Sequence, residues 1–326
     1  MRRIGLAVVL AVSLILAPFV GKAQQPGKVY RVGILSPGHE PPPGIPYYGP
    51  FRQSLADSGY VEGRNVSFVY RWAERDFRLL PALAIELVRV GVDVLFATST
   101  PAIRALAGAT TTIPIVVVSV PDPIDAGMVA SLARPGGNIT GVSRRVVELN
   151  EKLLELLKES NPGASRVAVF GHPTEVERDR QRMEAAARSL GVRLQFLGVT
   201  SLKELDAAFE TAAKARAEGL VLLPTVLFVY NESRIATLAL QRRLPTVFWR
   251  SQFAEAGGLM AYGPDDVYAY RQAAALVAKV LKGARPSDLP VEQVDRFRLV
   301  INLKTAKALG LTIPQSILLR ADQIIE

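Results

Sequence analysis

Leu79-Leu-Pro-Ala-Leu-Ala-Ile-Glu-Leu-Val-Arg-Val90, Gly91, Val92-Asp-Val-Leu-Phe-Ala97 and Thr98-Ser-Thr-Pro101-Ala-Ile-Arg-Ala-Leu-Ala-Gly108 form one uninterrupted passage. Leu79, Leu80, Leu83, Ala84 and Leu87 recur at helical spacing, and Gly91 stops the helix. The apolar run to Ala97 reads as a strand buried on both faces. Pro101 suits the first position of the next helix, with Ser99 or Thr100 as its cap. A strand covered on both faces and flanked by amphipathic helices belongs to a parallel α/β sheet.

The same alternation extends in both directions. Val29–Ser36, Asn65–Arg71 and Ile115–Val120 read as strands, and Tyr47–Ser58 reads as a helix closed by Gly59. The pattern then restarts with a helix over Ser143–Ser160, a strand at Arg166–Phe170 and a helix over Glu175–Leu190. Strands at Val192–Val199, Gly219–Leu223 and Thr246–Trp249 follow, with helices over Leu202–Ala217 and Ser233–Arg242 between them. The halves can be laid on each other. Arg31-Val-Gly-Ile-Leu35 parallels Arg166-Val-Ala-Val-Phe170, Gly59 parallels Gly191, and Thr112-Ile-Pro-Ile-Val116 parallels Arg243-Leu-Pro-Thr-Val247. A short tail adds strands at Gly258–Tyr262 and Arg298–Ile301 and helices over Val267–Leu281, Leu303–Leu309 and Pro314–Ala321. It is too small to be a domain, so it completes both lobes. Several chain crossings between the lobes make a hinge, and a hinge makes a cleft.

The chain opens with Arg2 and Arg3, an apolar run from Ile4 to Val20, and the small-residue site Gly21-Lys22-Ala23. This order is that of a secretory signal peptide over residues 1–23; an uncut membrane anchor is the alternative. Export places the mature chain in the periplasm. With no cysteine anywhere in the 326 residues, it is not a lipoprotein and carries no disulfide, thiolate nucleophile or Cys-ligated zinc. Removing Arg2, Arg3 and Lys22 lowers the formal net charge from +9 to +6. The remaining basic residues are scattered among acids, which argues against nucleic acid as a partner.

Ligands of open parallel sheets bind beyond the carboxyl ends of the strands, where helix N-termini present free N–H groups. The strand-end segments therefore supply the candidates. In the first lobe these are Ser36, Trp72, Ser99, Thr100 and Asp122; in the second, His172, Thr225, Phe228 and Trp249; and Asp266 follows the extra strand. Ser99 and Thr100 can offer hydroxyls and amides to a carboxylate, or simply cap the helix. Asp122, held between prolines, can pair with an ammonium or serve as a turn residue. Asp265 and Asp266 can equally cap the helix from Val267. Trp72 and Trp249 stand with Tyr47, Tyr48, Phe228, Tyr230, Phe253 and Tyr262 in or near such loops, which suits an apolar or aromatic ligand group as well as packing.

Four phrases carry a resemblance: Gly59-Tyr-Val-Glu-Gly-Arg-Asn-Val66, Tyr70-Arg-Trp-Ala-Glu74, Arg134-Pro-Gly-Gly-Asn-Ile-Thr-Gly-Val142 and Leu299-Val-Ile-Asn-Leu-Lys-Thr-Ala-Lys-Ala-Leu-Gly-Leu311. The mature chain resembles the ABC transporter substrate-binding proteins of the tryptophan/tyrosine-type group. The resemblance implies the type 1 periplasmic binding protein fold: two Rossmann-like, doubly wound parallel-sheet lobes joined by a multi-strand hinge, with three crossovers. On this reading residues 28–142 plus about 263–288 form lobe 1, and about 146–258 plus 296–326 form lobe 2. By position, Ser99 and Thr100 would hold the ligand carboxylate and Asp122 its amine, with Phe228 and Trp249 approaching from lobe 2. Arg134–Val142 would lead into the first crossover.

The expected function is capture of a small molecule, an amino acid or aromatic-like compound, in the interlobe cleft and its delivery to an ABC permease in the membrane. The chain is expected to act as a monomer, without cofactor or metal. A ligand-sensing module reporting to a membrane receptor is an alternative, and so is an exported enzyme working in the same cleft. Against the enzyme stand the absence of a G-x-S-x-G elbow, an H-E-x-x-H pair and a P-loop, and a total of two histidines, His39 and His172. No catalytic residue is assigned.

Overall fold

The computed structural model describes residues 28–39, 48–120, 123–124, 127–143 and 149–326. The apolar leader and Asp122 lie outside them. In chain order the strands are β1 Tyr30–Ser36, β2 Val66–Trp72, β3 Val94–Ala97, β4 Ile115–Val120, β5 Ile139–Ser143, β6 Arg166–Gly171, β7 Arg193–Gly198, β8 Gly219–Leu222, β9 Thr246–Phe248, β10 Met260–Pro264, β11 Glu292–Gln293, β12 Phe297–Asn302 and β13 Gln323–Ile325. The helices are α1 Tyr48–Asp57, α2 Leu80–Val90, α3 Thr100–Ala109, α4 Leu149–Ser160, α5 Pro173–Ser189, α6 Leu202–Lys214, α7 Val226–Val229, α8 Glu232–Gln241, α9 Ser251–Glu255, α10 Asp266–Leu281, α11 Leu303–Leu309 and α12 Gln315–Leu318.

The strands build two sheets of the same winding. One runs β2-β1-β3-β4-β5-β11, the other β7-β6-β8-β9-β10-β12-β13. All pairings are parallel except β10 with β12. The central strands are buried along their length, as their unbroken Val/Ile/Leu/Phe runs require. Lobe 1 has a core on each sheet face. Val32, Phe51, Phe96 and Val116 pack with Ala273 and Val277 of α10 on one face; Leu35, Leu87, Leu95 and Ile103 pack on the other. Lobe 2 has one large core around Leu153, Phe170, Phe209, Val221 and Phe248. The chain passes between the sheets three times: after β5, at Asp265–Asp266 where β10 gives way to α10, and between Gln293 and Phe297.

Two of the differences from the sequence reading follow from strand pairing. Of the long helix expected over Ser143–Ser160, Leu149–Ser160 is helical, whereas Ser143 ends the strand Ile139-Thr-Gly-Val-Ser143, which pairs with β4. Three of its five residues are β-branched, and Gly141 admits the close approach of the Val117 backbone. At the C-terminus, Gln323–Ile325 adds a parallel edge strand on β12. Three residues are too short a run for periodicity to show.

Candidate functional site

The carboxyl ends of β1, β2 and β3 lie side by side, because β1 pairs with both β2 and β3. Ser36 ends β1, is 4% exposed, and accepts a hydrogen bond from the Gly38 amide at 3.3 Å. Trp72 ends β2, half-buried, its indole stacked on the Tyr70 ring at 5.8 Å and 7°. The residue alternation of the strand puts Phe68, Tyr70 and Trp72 on one face, so the edge strand carries an aromatic row toward the cleft.

Ser99 occupies the cap position of α3 with extended backbone (φ −155°, ψ 150°), but its side chain makes no capping bond. Its Oγ is buried and has no hydrogen-bond partner. A buried hydroxyl left unpaired is costly, and here it stands beside the first turn of α3, whose N–H groups are the open donors of a helix start. The pair forms a ready cradle for a carboxylate oxygen. Thr100, half-buried, begins that turn.

Across the cleft, His172 caps α5: its Nδ1 accepts from the Thr174 amide at 3.4 Å and pairs with Thr174 Oγ1 at 2.8 Å. Glu175 returns the favour by accepting from the His172 amide, which makes a capping box. Its Oε2 is buried without a partner, and burial pushes the carboxyl pKa from 4.5 up to about 7. Thr225 caps the short helix α7 without a side-chain bond and is half-buried.

Three of the expected site residues are placed in packing or ion-pair roles. Phe228 is fully buried in the lobe 2 core. The one-turn helix α7 carries it into that core. Trp249, 5% exposed, packs edge-on against Phe248 at 5.6 Å in the same core. Asp266 is an ion-pair residue of the hinge, and the capping of α10 falls to Asp265, whose Oδ1 accepts from the Tyr268 amide at 3.2 Å. The Arg250 guanidinium reaches Asp266 at 3.3 Å and donates to Glu232 at 2.8 Å, all three groups being nearly buried. Burial pushes the Glu232 pKa up to about 7, while Arg250 opposes the rise. No periodicity marks this triad in the sequence, because its members are 16 to 34 residues apart.

The strand-end loops of the lobes meet directly. Tyr230, between α7 and α8, lies against Gly38 of lobe 1, and the Arg75 guanidinium sits 5.4 Å from its ring centre. The lobes of this structure are therefore closed on each other at this point. Among the described residues no group of three or more His, Asp or Glu is arranged to hold a metal ion.

Residues 45–325 match the family model described as ABC transporter substrate binding protein. The chain is 28% identical over 263 residues, 80% of its length and 75% of the relative's, to a tyrosine-binding protein of Clostridioides difficile (strain R20291). It superposes with a TM-score of 0.82 on an ABC domain in complex with L-Trp from Streptococcus pneumonia, at 26% identity, covering 91% of this chain and all of that one. A conserved domain protein from Vibrio cholerae gives 0.80 at 29% identity, again over 91% and 100% of the chains. A ligand-free, open substrate binding protein with adhesive properties from Clostridium difficile gives 0.69 at 26% identity over 91% and 99%. Both the fold and the match along most of its length show that this chain belongs to the ABC transporter substrate-binding protein family, whose members bind substrates and are not enzymes.

Proposed function

We propose that this chain is the exported solute-binding subunit of an ABC importer and that it captures an amino acid with an aromatic side chain between its lobes. The observation that carries the reading is the buried, unpaired Ser99 hydroxyl at the open end of α3, on the lobe edge that faces lobe 2. A ligand carboxylate placed there receives the Ser99 O–H and the first amides of α3, and satisfies them. Trp72, stacked on Tyr70, offers a flat face for a ring. Asp122, outside the described residues, takes the ammonium. Ser36, Thr100, His172 and Thr225 stand at the surrounding strand ends as further polar contacts.

Two comparisons support the ligand class. A relative binds tyrosine by name, and a similar structure holds L-Trp. The chain also superposes better on that liganded structure than on the open, ligand-free one at equal identity. A ligand touching both lobes binds the closed form more tightly and so draws the lobes together. The closed form is then the one a membrane permease would receive. Periplasmic residence follows from the leader, read as a cleaved signal.

Isothermal titration of the leader-free chain with L-tryptophan and L-tyrosine tests the reading. The expected result is saturable one-to-one binding of at least one of them, with a raised Tm. No heat and no Tm shift across the twenty amino acids would remove the ligand class.

A further inference from the structure

Lobe 1 presents a built receptacle to a single aromatic side chain of lobe 2. The loops after β1 and β2 are zipped together by backbone bonds: Ala73 N–H to Ser36 O at 3.0 Å, Arg75 N–H to Pro37 O at 2.8 Å, and Glu74 N–H to Gly38 O at 3.2 Å. The His39 imidazole pairs with the Glu74 carboxylate across the same two loops. Forming this zipper puts Glu74 and Arg75, neither of them glycine, in the left-handed region at φ 49° and 67°. Two adjacent residues held there are strained, and strain persists only where the surroundings enforce it. The product is a rigid double loop with Gly38 at its centre and the Arg75 guanidinium at its side.

Tyr230 fits into it. A Cβ added at Gly38 would lie 2.7 Å from both Cε1 and Oη of Tyr230, so the phenol ring occupies the place a side chain would fill. Arg75 lies over the ring at 5.4 Å, in cation–π range. The Ser36 side chain stands against the Tyr230 hydroxyl. On its own lobe, Tyr230 is held two residues ahead of Glu232, which Arg250 anchors, and Arg250 in turn grips Asp266 at the crossover into α10.

We propose that Tyr230 is a closure latch: seated on Gly38, under Arg75 and against Ser36, it stabilises the closed lobes without touching the ligand. This rests on the reading of the chain as a protein that closes on its solute. Its consequence is that part of the closing free energy is ligand-independent, so the latch sets affinity for every ligand by the same factor. A ligand meets a population already partly closed, and removing the latch taxes binding by the fraction of competent molecules lost.

The test uses the absence of cysteine from the chain. Arg104→Cys and Lys203→Cys, exposed positions on α3 and α6, take a spin label in each lobe. Interlobe distances are then measured by double electron–electron resonance, first without ligand and then with saturating L-tryptophan. The expected result is a ligand-free distribution with a clear short-distance population. Tyr230→Ala depletes it, and Gly38→Ala does the same from the opposite lobe. Tyr230→Phe, which keeps the ring on Gly38 and Arg75, depletes it less. Affinity for L-tryptophan falls about tenfold in Tyr230→Ala and Gly38→Ala. A wholly open ligand-free distribution, or one that neither Gly38→Ala nor Tyr230→Phe changes, overturns the latch, even if Tyr230→Ala fails to fold. If the chain ignores L-tryptophan, the ligand proposal falls, while the ligand-free distances still decide the latch.

Discussion

The unpaired hydroxyl of Ser99 separates binding from stability more cleanly than any other group described. Because it makes no capping bond and no other hydrogen bond, Ser99→Ala should leave Tm within a degree or two. It should weaken a carboxylate ligand by about 1.5–3 kcal/mol, the scale of a hydrogen bond to a charged group. Paired thermal melts and titrations check this, and a large loss of Tm with unchanged affinity would return Ser99 to a structural role. The tryptophans divide in the same way. Trp249 is sealed in the core, whereas Trp72 is half-buried at a strand end. Ligand-induced fluorescence change should therefore survive Trp249→Phe and vanish in Trp72→Phe. The reverse would move the ring site to lobe 2. Sequence position marked both residues as strand-end aromatics. Only the packing of Phe248 against Trp249 tells them apart, and that contact depends on side-chain direction, which spacing does not reveal.

At the scale of elements, strand-end loops were legible because parallel sheets put them all on one edge. The strand order repeated in the two sheets follows from strand–helix alternation that is plain in the chain. The buried triad of Glu232, Arg250 and Asp266 was not, since its residues meet only when α8, β9 and α10 converge. Neither was the strained Glu74–Arg75 turn, which no glycine announces. The acids buried at element ends have a measurable consequence. Glu175 in its capping box and Glu232 in the triad both titrate at about 7 instead of 4.5. Their native pKa lies above the unfolded one, so the folded chain holds the protons more tightly. The stabilisation this gives is fully present below about 4.5 and is lost as pH rises through about 7. Urea denaturation should find the chain less stable at pH 8 than at pH 5 by about 1–3 kcal/mol. Glu175→Gln should flatten part of that slope. A stability that rises from pH 5 to 8 would contradict the burial argument.

Taken as a molecule, the chain is two copies of one architecture crossed three times by the backbone, with the carboxyl edges of the sheets turned toward each other. That arrangement lets a solute bind by contacts that neither lobe makes alone. On the proposed function, an unsatisfied hydroxyl and a receptacle for a tyrosine on neighbouring loops of one lobe divide the work: one for the ligand, the other for the opposite lobe. Native mass spectrometry of the leader-free chain, incubated with an amino-acid mixture and freed of excess, interrogates this directly. The wild type should carry one small carboxylate-bearing solute per chain, lost on denaturation and largely absent from Ser99→Ala. A chain that retains no solute, or retains it equally with Ser99 replaced, would contradict capture at the Ser99 cradle between the lobes.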